Sequence, residues 1–137
     1  MSAEVFLDTN ILLYAATASQ AESAKQDRAY ELIAGDNFAI STQVLQEFFH
    51  NATVKTRVKM LPSKALEWLS EIDHRPCVAI DSALFQRATE ISIRYKISYW
   101  DGAILAAAEA LGATTVYSED FNHDQFYGSV KVVNPFK

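Results

Sequence analysis

Cysteine is almost absent from this chain. Cys77 is the single one in 137 residues, so no internal disulfide can form and a reducing, cytoplasmic setting is the expectation. Glycine and proline are scarce as well, four and three in number. They are scattered, so no linker or low-complexity tract divides the sequence and one domain over 1–137 is expected. No apolar run is long enough to cross a membrane, and the opening MSAEVF has neither the basic nor the apolar region of a signal peptide. Positive charge is in deficit: 12 Lys and Arg against 17 Asp and Glu give a net charge of −5. That balance argues against a domain that holds nucleic acid by basicity alone. Acids gathered around divalent cations would reverse the sign locally.

What the sequence does contain is a set of short, β-rich apolar runs: VFL (5–7), FAI (38–40), CVAI (77–80), TTVY (114–117) and VKVV (130–133). Each has the length and composition of a buried strand, and Cys77 is expected to be a buried thiol within the third. Between them lie stretches with helical spacing, about 22–34, 42–53, 63–72, from 82 to about 95, and 99–111, the last followed by Gly112 as a C′ residue. Strands alternating with helices predict an α/β fold, a three-layer α/β/α sandwich around a mainly parallel sheet of about five strands. About a dozen residues without helical spacing join the last two runs, so VKVV is expected at an edge, its direction open.

Ligands of an open parallel sheet bind beyond the carboxyl ends of its strands. Asp8 directly follows VFL and interrupts the apolar stretch VFLDTNILLYA, where a buried acid needs partners. Asp120 follows TTVY. Asp101 begins a helix that returns through Gly112 into TTVY, so its start lies near the same edge. Glu47 shares a helical stripe with Val44 and Asn51 beside Phe48. Asp8, Glu47, Asp101 and Asp120 can therefore meet at one sheet edge, and an oxygen-only set suits Mg²⁺ or Mn²⁺ better than zinc. Taken singly, Asp101 also reads as a cap residue in an S-x-x-D pattern with Ser98, Glu47 as a solvated helix acid, Asp120 as a turn residue and Asn10 as an N-cap.

These residues resemble a known family. LDTNILLY is similar to the opening motif of PIN-domain ribonucleases, QEFF to their second-helix motif and SYWDGAILAAAEALGA to their third. VYSEDFNHDQFYGSVKVVNPF resembles the end of the VapC-like toxins of bacterial toxin–antitoxin pairs. The resemblance covers essentially the whole chain. It implies a PIN-like fold and a Mg²⁺- or Mn²⁺-dependent endoribonuclease that leaves a 5′-phosphate and a 3′-hydroxyl. Asp8, Glu47, Asp101 and Asp120 would be the catalytic, metal-binding acids, and Thr9, Asn10 and Ser118 would orient them. It further implies an RNA substrate, a small antitoxin partner and a homodimer. Glu119 and Asp124 lie beside the fourth acid and compete with Asp120 for its role.

The path of the RNA is open. Lys55, Arg57, Lys59 and Lys64 form a basic run that reads as solvated surface or as phosphate contacts. Tyr99 and Trp100 offer stacking surfaces, with core packing the reading taken for Trp100. Phe48, Phe49 and Phe85 read as core or interface residues, and His50, His74 and His123 have no metal-ligand spacing. A receiver-type phosphoacceptor domain is disfavoured because the second early acid is missing and Lys131 precedes the last apolar pair. The DxDx(T/V) phosphatase motif is missing too. A non-catalytic PIN-like module that binds RNA or protein is the remaining alternative.

Overall fold

The computed structural model describes residues 3–35 and 37–137; Met1 and Ser2 of the opening MSAEVF lie outside them. Strand β1 (Val5–Leu7) leads into α1 (Thr9–Thr17), followed by α2 (Ser23–Gly35), β2 (Phe38–Ser41) and α3 (Thr42–His50). A single π-helical turn, Asn51–Lys55, extends α3; then come α4 (Pro62–Ser70), β3 (Cys77–Val78), α5 (Ser82–Tyr95), α6 (Tyr99–Ala110), β4 (Thr115–Tyr117), β5 (Phe126–Tyr127) and β6 (Val130–Val133).

The strands form one sheet in the order β3-β2-β1-β4-β6-β5. Every pairing is parallel except that of β5 with β6. β1 is central, with Val5 opposite Phe38 on one side and Leu7 opposite Tyr117 on the other. All four residues of β2 are buried, which explains its unbroken apolar run. Helix α1 packs against α2 and α3, while α5 packs against α6, which lies on β2, β4 and β6.

The α/β expectation is therefore met with six strands rather than about five, and VKVV is neither at the edge nor ambiguous: it runs parallel to β4. The edge is β5, a two-residue strand folded back through Gly128 and Ser129, with Gly128 at φ 64°. A Gly at that position takes the left-handed conformation without steric cost. CVAI contributes only Cys77 and Val78 to the sheet, and Cys77 is half-buried.

Local chemistry sets the helix ends. The Ser98 hydroxyl accepts from the Asp101 N–H at 3.1 Å, capping α6. At the other end Gly112 (φ 74°) closes a Schellman motif, with Ala113 N donating to Ala108 O and Gly112 N to Glu109 O. From Gly102 to Ala108 every residue of α6 is buried, so this small-residue helix runs through the interior while its first turn emerges.

Candidate active site

The strand order reverses between β1 and β4, which lie side by side although their neighbours on the far sides come from different parts of the chain. A crevice opens at such a switch point. Asp8 leaves β1 on one side of it and Ser118 leaves β4 on the other, tied by Asp8 N donating to Tyr117 O at 3.1 Å. Five polar or charged side chains are buried among the described residues: Asp8, Thr9, Ser41, Gln43 and Ser118. Ser41 caps α3; the other four gather at this crevice.

Asp8 is held at both carboxylate oxygens. Thr9 N donates to Oδ1 at 2.7 Å and Ser118 Oγ to Oδ2 at 2.7 Å. Asp8 is thus the N-cap of α1, the place sequence reading had considered for Asn10. Asn10 sits in the first turn instead and reaches across the crevice, its Nδ2 donating to Asp120 Oδ2 at 3.0 Å and to Ser118 Oγ at 3.2 Å. Thr9 Oγ1 donates to Glu47 Oε1 at 2.8 Å. Gln43, four residues before Glu47 on α3, donates to Glu47 Oε2 at 3.4 Å and to the Trp100 carbonyl at 3.1 Å.

One cavity of about 240 Å³ is lined by Asp8, Glu47, Asp101 and Asp120, together with Asn10, Gln43, Asn51 and Trp100. The four acids expected from sequence are thus brought to one space. They do not converge on a point: among the described residues no three His, Cys, Asp or Glu side chains are grouped closely enough to hold one metal ion. Each of Asp8, Glu47 and Asp120 accepts hydrogen bonds from neutral donors of its own, and these hold the carboxylates against different walls. Glu119 and Asp124 are elsewhere. Glu119 accepts from Tyr14 Oη at 2.5 Å and pairs with Lys25 at 3.1 Å. Asp124, itself at φ 62°, pairs with Lys131 at 3.4 Å and lies 3.3 Å from His123 Nε2.

The electrostatics follow from the burial. Desolvation pushes the Asp8 carboxyl up to about 7 from 3.8, opposed by the Ser118 and Thr9 hydrogen bonds and assisted by the charges of Asp120 and Glu47. Asp101 is raised in the same direction, first by burial and then by Asp120. A proton is therefore taken up on folding between pH 3.8 and about 7 at Asp8, and stability falls as pH rises across that window. Metal-free protein is expected to show this component of melting-temperature loss, and Asp8→Asn to lack it. Adding Mg²⁺ or Mn²⁺ near neutral pH should recover several degrees, about 1.4 kcal/mol at roughly ten times the Kd. Differential scanning fluorimetry across pH, with and without metal, reads both effects; a flat metal response would count against a cation at these acids.

The donor chemistry fits a hard divalent ion. The side-chain ligands on offer at the cavity are carboxylate and amide oxygens, and two buried amide oxygens of its lining residues, Asn10 Oδ1 and Gln43 Oε1, have no hydrogen-bond partner. Gln43 was missed from the sequence. Its signal was present as the i, i+4 spacing to Glu47.

Beside this cavity, sharing Asn10 and Leu13 with it, lies a larger cleft of about 670 Å³ between α1 and the segment 56–60, lined also by Tyr14, Arg57, Lys59 and Glu119. The π turn aims that segment: Thr56 N bonds Asn51 O and Met60 N bonds Ala52 O. Lys55, Arg57, Lys59 and Lys64 are all exposed, and two of them thus face the cleft.

Residues 5–128 match the family model of the PIN domain. No curated protein gives a significant match. Among solved structures, VapC20 of Mycobacterium tuberculosis, described as a toxin that cleaves the sarcin–ricin loop, is 20% identical with a TM-score of 0.65, over 86% of this chain and 91% of that one. FitAB bound to the IR36 DNA fragment gives 19% identity and a TM-score of 0.75 over 97% and 96%. A toxin–antitoxin complex from Klebsiella pneumoniae gives 17% and 0.71 over 96% and 97%. At such identities the likeness is one of fold.

Proposed function

The chain belongs to the PIN-domain family, and from that membership we propose that it is a Mg²⁺- or Mn²⁺-dependent endoribonuclease, the toxin of a toxin–antitoxin pair. The observation that carries this reading is the placement of Asp8, Glu47, Asp101 and Asp120 around one cavity at the sheet's switch point. Structural neighbours that are toxins or toxin–antitoxin complexes support the biological role. A small antitoxin partner, a homodimer and a cytoplasmic location belong to the same proposal. Among the described residues no helix is long and apolar enough to cross a membrane.

Asp8 and Asp101 are the direct ligands in this reading, with Glu47 and Asp120 binding directly or through water. A bound cation supplies Lewis acidity toward the phosphate and acidifies a water. The chain's own part is positional. Thr9 N and Ser118 Oγ fix both oxygens of Asp8, so its carboxylate cannot rotate out of the crevice. Asn10 does the same for one oxygen of Asp120, while Thr9 and Gln43 divide the two oxygens of Glu47. Such outer contacts typically govern metal affinity or activity by about 10- to 100-fold.

The rival reading, a non-catalytic PIN-like binding module, draws on the separation of the carboxylates. Incubating purified protein with total RNA in Mg²⁺, Mn²⁺ or EDTA distinguishes the two. The expected result is discrete fragments with ligatable 5′-phosphates in metal and intact RNA in EDTA. Intact RNA under all three conditions, from folded protein, would overturn the nuclease reading.

A further inference from the structure

Trp100 does not pack in the core, as its place in an apolar helix had suggested. It is 62% exposed and lines the carboxylate cavity. Its neighbours make it a fixed surface rather than a loose side chain. The Tyr99 ring meets it edge-on at 5.0 Å between centroids, and Phe85, itself 50% exposed, tilts against Tyr99 at 5.5 Å. The Trp100 carbonyl is anchored by Gln43, which also holds Glu47, so the backbone that carries the indole is tied to an acid of the site.

Cationic groups stand in the neighbouring cleft. Arg57 and Lys59 line it together with Glu22 and Glu119, it shares Asn10 and Leu13 with the carboxylate cavity, and among the described residues neither cation has a carboxylate partner. In a chain of net charge −5 these are conspicuous. Cations without a carboxylate partner in the adjoining cleft and an exposed ring at the acids match the two halves of a nucleotide, its phosphate and its base.

We propose that Trp100, backed by Tyr99 and Phe85, is the stacking subsite for an unpaired base next to the cleaved phosphate, with Arg57 and Lys59 taking phosphates of the same single strand. This rests on the ribonuclease reading and assigns the residues of this chain that would hold an unpaired base and its phosphates. A base inside a duplex is already stacked on its neighbours and presents no free face to the indole.

The test measures binding apart from cleavage. Fluorescein-labelled oligoadenylate is titrated into Asp8→Asn protein, which prevents turnover, with Trp100 intact, as Trp100→Ala or as Trp100→Phe. Stacking of this kind predicts about 5- to 100-fold weaker binding for the Ala variant and near-parental binding for the Phe variant. The same oligonucleotide annealed to oligouridylate should bind more weakly than the free strand to the Trp100 protein. In the otherwise wild-type enzyme, Trp100→Ala should raise KM far more than it lowers kcat. Unchanged binding in Trp100→Ala would overturn the inference. So would weaker binding accompanied by a change of oligomeric state in sedimentation, which would make Trp100 a subunit contact. A protein that binds through Trp100 yet never cleaves RNA would sink the nuclease reading instead.

Discussion

Asp8→Asn is expected to lose at least about a hundredfold in RNA cleavage while the protein remains folded and melts higher at neutral pH in metal-free buffer. The direction of each effect has a separate cause. Asn keeps the shape of Asp and an oxygen to accept from Thr9 N, so the cap of α1 survives, while the Ser118 hydroxyl loses its carboxylate acceptor. What it removes is the buried negative charge. Burial raises the Asp8 carboxyl to about 7, which means that ionising it near neutral pH costs folding free energy. The neutral amide avoids that cost. The same charge is what would attract a cation and, through it, the phosphate. Losing about 3 kcal/mol of that stabilisation corresponds to about a hundredfold in rate. Cleavage assays paired with thermal melts read both quantities on one preparation. A variant that is less stable and equally active would sink the assignment of Asp8 as a functional rather than a structural acid.

Gly102→Ala should cost about 1–3 kcal/mol of stability and also reduce cleavage. A Cβ at Gly102 would stand 2.5 Å from the Ala88 carbonyl oxygen and 3.1 Å from Ser92 Cβ, on the neighbouring helix. Alanine is the better helix former by about 1 kcal/mol, but the atom it meets is backbone. Relief therefore requires α5 and α6 to separate, and overpacking of this sort costs about 1–3 kcal/mol. Asp101 is the preceding residue, so the same shift displaces a carboxylate of the site. Misplacement of about 1 Å can cost about 10²-fold in rate. Gly35→Ala is the control: nothing lies within 4 Å of a Cβ there, and little change is expected. Chemical denaturation and cleavage assays on both variants test the pair.

Much of this arrangement was legible because buried parallel strands announce themselves. Short β-branched runs located five of the six strands, and the residues that follow each run fell at the carboxyl edge by geometry alone. That logic found Asp8 and Asp120. It found Glu47 because a helical stripe with Val44 and Asn51 points one way, and Asn51 does line the cavity. The misses have physical reasons too. The strand Phe126–Tyr127 is too short to show alternation, and only the Gly128-Ser129 pair hinted at a hairpin. Trp100 reads as core because α6 is apolar on every side, but its first turn projects past the packed stretch that begins at Gly102. Asp8 rather than Asn10 caps α1, since either residue type can cap a helix and only the position of the first turn decides. Of Glu119, Asp120 and Asp124 only Asp120 lines the cavity, because distant partners, Lys25, Asn10 and Lys131, draw the three acids apart, and no local pattern encodes their proximity.

The two outermost strands of the sheet, Cys77–Val78 and Phe126–Tyr127, are each two residues long. A strand that short presents almost no open ladder of N–H and C=O groups, the template on which β-augmentation and runaway edge-to-edge aggregation depend. A protein that docks with this chain, whether a second copy or an inhibitor, therefore meets helices and loops rather than extending the sheet. Recognition then rests on side-chain complementarity, which can be tuned residue by residue to reject near-identical partners, and not on generic main-chain pairing, which cannot.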